Sequence, residues 1–467
     1  LGEKRERIVE GFPSEVFANR RKKYMERMGE AVAVFPAAKE QIRSRDSTFP
    51  FRQDSDFHYL TGFPEPEALA VLVGGEPQRF VLFTHPRDAK QEIWTGRRYG
   101  PAGARELFGA DEAFPLSELD SKMPELLSDV GRVCFAFGKD AAWDGRVMGW
   151  INQVRTKGRR GAVCAPTELI DTATIVHEQR LIKEAFEIER MERAARITAQ
   201  SHELAMKVCR PGLTERDLQN QLEHACFCRG SRAMAYETIV AGGPNACVLH
   251  YVENSGLLKE GELVLIDAGC ELDNYASDIT RTFPVSGRFS QTQRRVYDTV
   301  LQAQQAGIAS ARKGGTIHSV HESVVRTLAE KLVGLGLLHG DPDRHARICL
   351  QAAETPEEEA WEERLGEGEI GLHHFFMHNT SHWLGLDVHD VGPYREGGAW
   401  RALEPGMILT VEPGIYIAPD DDHVPEEYRG IGIRIEDDLL ITEGVPQILT
   451  EGCPKSVEEV EAACEGR

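Results

Sequence analysis

The chain has 467 residues with 41% hydrophobic content, enough for two or three packed domains, which argues against disorder. Lys and Arg number 54 against 75 Asp and Glu, a formal charge of −21 that repels nucleic acid and anionic membranes and suits a site that binds cations. No apolar run approaches the ~20 residues that span a bilayer, and "LGEKRERIVEGFPSE" contains no signal-like apolar core. The ten cysteines read as reduced thiols, with Cys226 and Cys228 too close for a CxxC pair, so a soluble cytoplasmic protein is expected.

Up to about residue 175, short β-rich runs alternate with polar, helix-like segments: "AVAVFPA" (31–37), "ALAVLVGG" (68–75), "RFVLFTH" (79–85) and "VCFAFG" (133–138). That alternation predicts an α/β domain over 1–175. From Lys183 the texture changes. "KEAFEIERMERAARITAQSHELAMKV" places apolar residues at three- and four-residue intervals and predicts a long amphipathic helix. Further helices are expected after Thr214 and after Ser290, where Ser290 and Gln293 fit a capping box. Strands follow in "ELVLIDAG", "MILTVEPGIYI" and "GIGIRIEDDLLIT", so 176–467 reads as an α+β domain. The glutamate-rich stretch 352–371 reads as a solvated surface segment with no assigned function.

Four acids sit inside or beside apolar strands, where a lone carboxylate is costly: Asp267, Asp278, Glu412 and Glu436. A hairpin centred on Leu272 and Asp273 would put Asp267 directly opposite Asp278, close enough to demand a proton or a cation between them. Pro413 and Gly414 break the strand after Glu412 and leave that carboxylate at its rim. Alternation in "IGIRIEDD" turns Ile431, Ile433 and Ile435 one way and Arg434 and Glu436 the other. Taken singly, each acid reads as a strand-end or salt-bridged residue. With a histidine they form an oxygen-rich ligand set, whose four negative charges two divalent cations balance. Mn²⁺ suits such a set, with Zn²⁺ or Co²⁺ as alternatives. Two such ions can hold a bridging water or hydroxide as nucleophile, which points to hydrolysis. The histidines of "HNTSHWLGLDVHDVG", His378, His382 and His389, are open in role on spacing alone.

"LVLIDAGCELDNYASDITRTFPV", "FFMHNTSHWLGLDVHDVG", "LEPGMILTVEPGIYIAP" and "EYRGIGIRIEDDLLIT" resemble successive motifs of the pita-bread metallopeptidases. Within them, "RSRDSTFPFRQDSDFHYLTGF" and "EIWTGRR" extend the likeness to the aminopeptidase P group. The resemblance implies a pita-bread catalytic domain behind a smaller α/β domain, and removal of an N-terminal residue when proline stands second. It implies metal ligation by Asp267, Asp278, His382, Glu412 and Glu436, with Glu412 also moving a proton. It implies that His250 and His378 shape a proline pocket and that His389 steadies the intermediate. Arg434 would reach along the peptide and join a network with Asp46. Tyr416 and Trp94 resemble aromatic pocket residues, Trp94 on a neighbouring subunit, which implies a homotetramer. Asn379 departs from the family's glycine at that position. Prolidase, which cleaves Xaa-Pro dipeptides, is the alternative enzyme; a metal-free pita-bread binding module is the alternative of another class, disfavoured because all five ligand types are present.

Overall fold

The computed structural model describes residues 14–159, 161, 163–352 and 369–465. Most of the glutamate-rich stretch expected to be a surface segment therefore lies outside the described residues. The chain divides into two compact units between Arg180 and Leu181. Among the described residues no helix is long and apolar enough to cross a membrane.

The first unit is a six-stranded mixed sheet with helices on it. In chain order its strands are β1 (Val32–Pro36), β2 (Leu69–Val73), β3 (Arg79–Thr84), β4 (Glu112–Pro115), β5 (Arg132–Cys134) and β6 (Glu168–Ile170). Their spatial order is β4-β3-β2-β1-β5-β6, with β1–β2 and β2–β3 antiparallel and the outer pairs parallel. Residues alternate across β1. Val32 and Val34 join a cluster with Trp143, Val147 and Ile151 of helix Ala141–Gly158, while Phe35 meets Tyr24 of helix Ser14–Met28 edge-on. Strands β4 and β6 were invisible to hydropathy, because neither has a fully buried residue.

The second unit carries four long helices: α1 (Ala185–Val208), α2 (Glu215–Cys228), α3 (Gln291–Ser310) and α4 (Ile317–Gly334). Each starts where a polar side chain satisfies first-turn N–H groups. Glu184 and Glu187 form a capping box on α1, Thr214 and Asp217 on α2, and Ser290 and Gln293 on α3. Helix α3 packs on α4, and Gly307 permits the approach: a Cβ there would lie 2.8 Å from Val324 and 2.9 Å from Val411.

The strands lie in several small sheets. β7 (Ile239–Gly242), β8 (Leu263–Asp267) and β11 (Thr280–Pro284) form one antiparallel sheet, with the short pair β9 (Cys270–Leu272) and β10 (Tyr275–Ala276) at its turn. Later in the chain, β12 (Ile408–Val411) pairs with β15 (Asp437–Leu440), and β13 (Gly414–Tyr416) with β14 (Gly432–Arg434). The expected single strand "GIGIRIEDDLLIT" is thus two. The chain leaves one sheet after Arg434 and enters another at Asp437, and Glu436 sits at the change.

Candidate active site

Asp267 ends β8, where it pairs with Ile239 on one side and Thr280 on the other. The register differs from the sequence expectation. The turn is centred on Asp273 and Asn274, with φ of 53° and 68°, so Asp267 faces Thr280 and Asp278 lies two positions before it. Asp and Asn tolerate this left-handed geometry better than other non-glycine residues, which lets a two-residue turn form here. The two carboxylates still converge: the Tyr236 hydroxyl donates to Asp267 Oδ1 at 2.7 Å and makes a short contact to Asp278 Oδ1.

Glu412 follows β12, its N–H donating to the Thr380 carbonyl at 2.9 Å. Glu436 is clamped to β11: its N–H donates to the Thr280 carbonyl at 3.1 Å, and Thr280 Oγ1 donates to Glu436 Oε2 at 2.6 Å. His382 bonds to β12 through Thr410, and its Nδ1 donates to the Trp383 carbonyl at 3.0 Å, which turns Nε2 toward the acids. That Nε2 lies 3.5 Å from Asp278 Oδ2 and 3.6 Å from Glu412 Oε1. Ligand atoms of Asp278, His382 and Glu436 lie within 4.8 Å of one another.

The acids of this cluster raise one another's pKa values. Burial, then Asp278, Glu412 and Asp267, push the Glu436 carboxyl well above its ordinary range. Burial and Asp267 push Asp278 up against the pull of His382. Burial pushes Glu412 to about 7, although His382 and Arg434 oppose it. His382 moves to about 9: burial disfavours its charge, but Asp278 and Glu412 outweigh burial. Four acids and one imidazole nitrogen within reach of one another form the donor set of hard divalent cations, so the residues fit a metal centre.

A second chain of contacts leads outward from Asp267. Arg434 donates to Asp267 Oδ2 at 2.6 Å and to the Tyr416 hydroxyl at 2.9 Å, and Tyr416 meets His378 Nε2 at 2.8 Å. His378 Nδ1 donates to the Asn379 carbonyl, so Nε2 accepts from Tyr416. Burial and the adjacent Arg434 drive His378 down to about 3, which keeps it neutral. Asn379 has no left-handed φ, so a residue other than glycine fits without strain. His389, an exposed residue, stands edge-on to His382 with ring centroids 4.3 Å apart, and partial desolvation and then His382 lower its pKa. His378, Asn379, His382, His389, Arg434 and His250 line a cavity of about 730 Å³, with Ile239, Leu249, Val252 and Val388 among its apolar wall residues.

Comparison with known proteins agrees with this geometry. Residues 189–443 match Metallopeptidase family M24, and residues 17–134 match the aminopeptidase P N-terminal domain. The chain belongs to metallopeptidase family M24. It is 46% identical over 450 residues to an Xaa-Pro aminopeptidase of Escherichia coli (strain K12), covering 96% of each chain, and 34% identical to human Xaa-Pro aminopeptidase 3 over 90% of this chain and 78% of that one. Among solved structures it resembles Pseudomonas aeruginosa aminopeptidase PepP, with a TM-score of 0.90, 46% identity and coverage of 97% and 98%. It also resembles zinc-substituted Escherichia coli aminopeptidase P in complex with product, with a TM-score of 0.89, 45% identity and coverage of 97% and 99%.

Within this M24 fold several site residues lacked a sequence signal. Tyr236 bridges two acids that lie 31 and 42 positions away. Thr280 reads as an ordinary strand residue, yet it joins Glu436 to Arg434 Nε. Lys183 and Asp390 form an ion pair at 2.9 Å with both side chains 1% exposed, and the Asp390 N–H donates to the Trp383 carbonyl. Together they brace the loop that carries His382 and His389. Gly385 permits that packing, since a Cβ there would meet Asp390 Oδ2 at 2.1 Å. Of the expected residues, Asp46 and Trp94 belong to the first unit: Asp46 is exposed, and Trp94 is 87% exposed on a helix with no buried residue. The Arg434 guanidinium is engaged by Asp267, Thr280 and Tyr416.

Proposed function

We propose that this chain is an Xaa-Pro aminopeptidase, with residues 1–175 as its N-terminal domain and 176–467 as its catalytic domain. One observation carries the reading: the carboxylates of Asp267, Asp278, Glu412 and Glu436 crowd together around His382, more acids than the adjacent Arg434 and His382 can balance, beside a cavity sized for a short peptide. Asp267, Asp278, His382, Glu412 and Glu436 would hold two divalent ions, with Mn²⁺ the best match to an oxygen-rich set and Zn²⁺ or Co²⁺ compatible. Two such ions held by these residues would supply Lewis-acid polarisation of the scissile carbonyl and a lowered pKa for a water nucleophile.

The remaining roles belong to the protein's own groups. Glu412 takes the proton of the attacking water and returns it to the leaving proline nitrogen. His389 donates to the oxygen that gains charge in the transition state. His378, fixed by Tyr416 and Asn379, and His250 shape the pocket for the proline ring. Arg434 holds Asp267 and Tyr416 in register and extends toward the residues after proline. Trp94, exposed beside Ile93 at 80%, is suited to contact between subunits, and we assign a homotetramer in which it reaches a neighbour's cavity.

The deciding experiment compares an Xaa-Pro-Xaa tripeptide, an Xaa-Ala-Xaa tripeptide and an Xaa-Pro dipeptide on the Mn²⁺-loaded protein. Cleavage of the first well above the other two is expected. Preference for the dipeptide would make the enzyme a prolidase, and no turnover of any would favour a binding module.

A further inference from the structure

A second group of metal-ligating side chains shares no residue with the acidic cavity. His374 ends a short turn, Leu372–His374, while Asp421 and His423 lie in the loop between β13 and β14. His374 Nε2 is 2.7 Å from Asp421 Oδ2, and His423 Nδ1 is 3.2 Å from Asp421 Oδ1. One ligand atom from each residue falls within 4.8 Å of the other two. The imidazole planes stand at 73° with centroids 5.7 Å apart, so the rings fan around the carboxylate instead of stacking.

Charge makes this more than a hydrogen-bonded trio. The Asp421 side chain is 2% exposed, and among the described residues its ion-pair partners are these two histidines, with no lysine or arginine. Buried Asp437, by contrast, has both Arg281 and Lys455. The two imidazoles are 34% and 48% exposed, which leaves an ion an aqueous approach. Exposed Asp422 lies 3.4 Å from His423 Nδ1 and can supply a fourth ligand.

We infer that His374, Asp421 and His423 form a further divalent-cation site, separate from the acidic cluster. Two nitrogens and one or two carboxylate oxygens in a compact group are the donor set of a borderline ion such as Zn²⁺, unlike the oxygen-dominated cluster in the cavity. Binding requires a lone pair on His374 Nε2 and on His423 Nδ1, so each imidazole places its remaining proton on the other ring nitrogen and the ion takes the hydrogen's place against Asp421. The site joins the turn that ends four residues before His378 to a loop segment reached five residues after Tyr416. Those segments already meet where the Tyr416 N–H donates to the Phe375 carbonyl at 2.9 Å. An ion at Asp421 would tie them together a second time.

The test is zinc stoichiometry on chelated, full-length protein re-equilibrated with Zn²⁺ and desalted. Wild type is expected to hold three ions per chain and His423→Ala two, with unchanged turnover after Mn²⁺ loading. His382→Ala should keep one ion, which the His382→Ala/His423→Ala double variant loses. His374→Ala is a second probe, and His423, on the more exposed ring, is the safer substitution for folding. Equal zinc content in wild type and His423→Ala would overturn the site, as would an ion in His382→Ala that survives loss of His423. Neither result depends on what the acidic cluster catalyses.

Discussion

Glu436 and Asp437 are adjacent in the chain and both buried, yet their surroundings are opposite. Asp437 receives Arg281 Nη2 at 2.8 Å, Lys455 Nζ at 2.5 Å, Gln304 Nε2 at 2.8 Å and Thr450 Oγ1 at 2.7 Å. Burial alone would raise its carboxyl, but Arg281 and Lys455 hold it at about 2. Glu436 has one hydroxyl donor, Thr280, and faces Asp278, Glu412 and Asp267, so its carboxyl is driven far up. Depth is the same and compensation differs. A buried acid surrounded by donors and cations braces the fold, whereas one among other acids needs a cation from outside.

The largest expected effect comes from breaking the uncompensated side. Glu436→Ala should lose bound metal and with it essentially all turnover, a greater loss than the roughly 10–100-fold typical of outer-shell partners. Elemental analysis beside the tripeptide assay checks this, and the variant should stay folded. Breaking the compensated side should do the reverse. Asp437→Ala orphans Arg281, buried with no exposed side chain, and should cost about 3–5 kcal/mol in urea unfolding while turnover per folded molecule persists.

A smaller effect separates the two sides by pH. In the metal-free protein the folded values of Glu412, about 7, and His382, about 9, both exceed their unfolded ones. The folded state therefore holds the extra protons. The stability from each group is complete below its unfolded pKa and is lost as pH rises through the folded value. Buried His58, His202, His321 and His378, held near 3 to 4, carry the opposite sign but titrate below about pH 6.5. Chelated protein should thus lose several degrees of Tm between pH 6.5 and 8, and the gain on adding Mn²⁺ should grow over that range. A flat or rising Tm without metal would contradict the charge imbalance.

The smallest effect belongs to wall residues with no part in that imbalance. Trp400 lines the cavity and stacks on His318 with centroids 5.1 Å apart. Trp400→Ala should leave metal content unchanged and raise KM a few-fold, as expected for loss of an aromatic contact worth about 1 kcal/mol.

What could be read in the sequence divides along physical lines. The capping box at Ser290 and the long helix before Val208 depend on neighbours a few residues apart, and local pattern suffices for them. The acids Asp267, Asp278, Glu412 and Glu436 stood out because charge inside apolar strands is anomalous wherever the strands go. Their mutual register did not follow, since it turned on left-handed Asp273 and Asn274 and shifted Asp267 from Asp278 to Thr280. Partners such as Tyr236, Thr280 and the Lys183–Asp390 pair were hidden because nothing near them in the chain marks them. Lys183 and Asp390 lie 207 positions apart. The histidines fall between these cases: spacing exposed the cluster, and only the hydrogen bonds of each ring separate His382, with Nε2 turned to the acids, from His378, bound to Tyr416.

That separation provides the most direct test of a metal centre built on uncompensated acids. Metal content and steady-state kinetics would be measured together for His382→Ala and His389→Ala. His382→Ala should lose metal and turnover together. His389→Ala should keep two ions per chain in the acidic cluster while kcat falls about 10²–10³-fold, the usual cost of losing one transition-state donor. Loss of metal from His389→Ala as complete as from His382→Ala, or full metal and turnover in His382→Ala, would contradict the account.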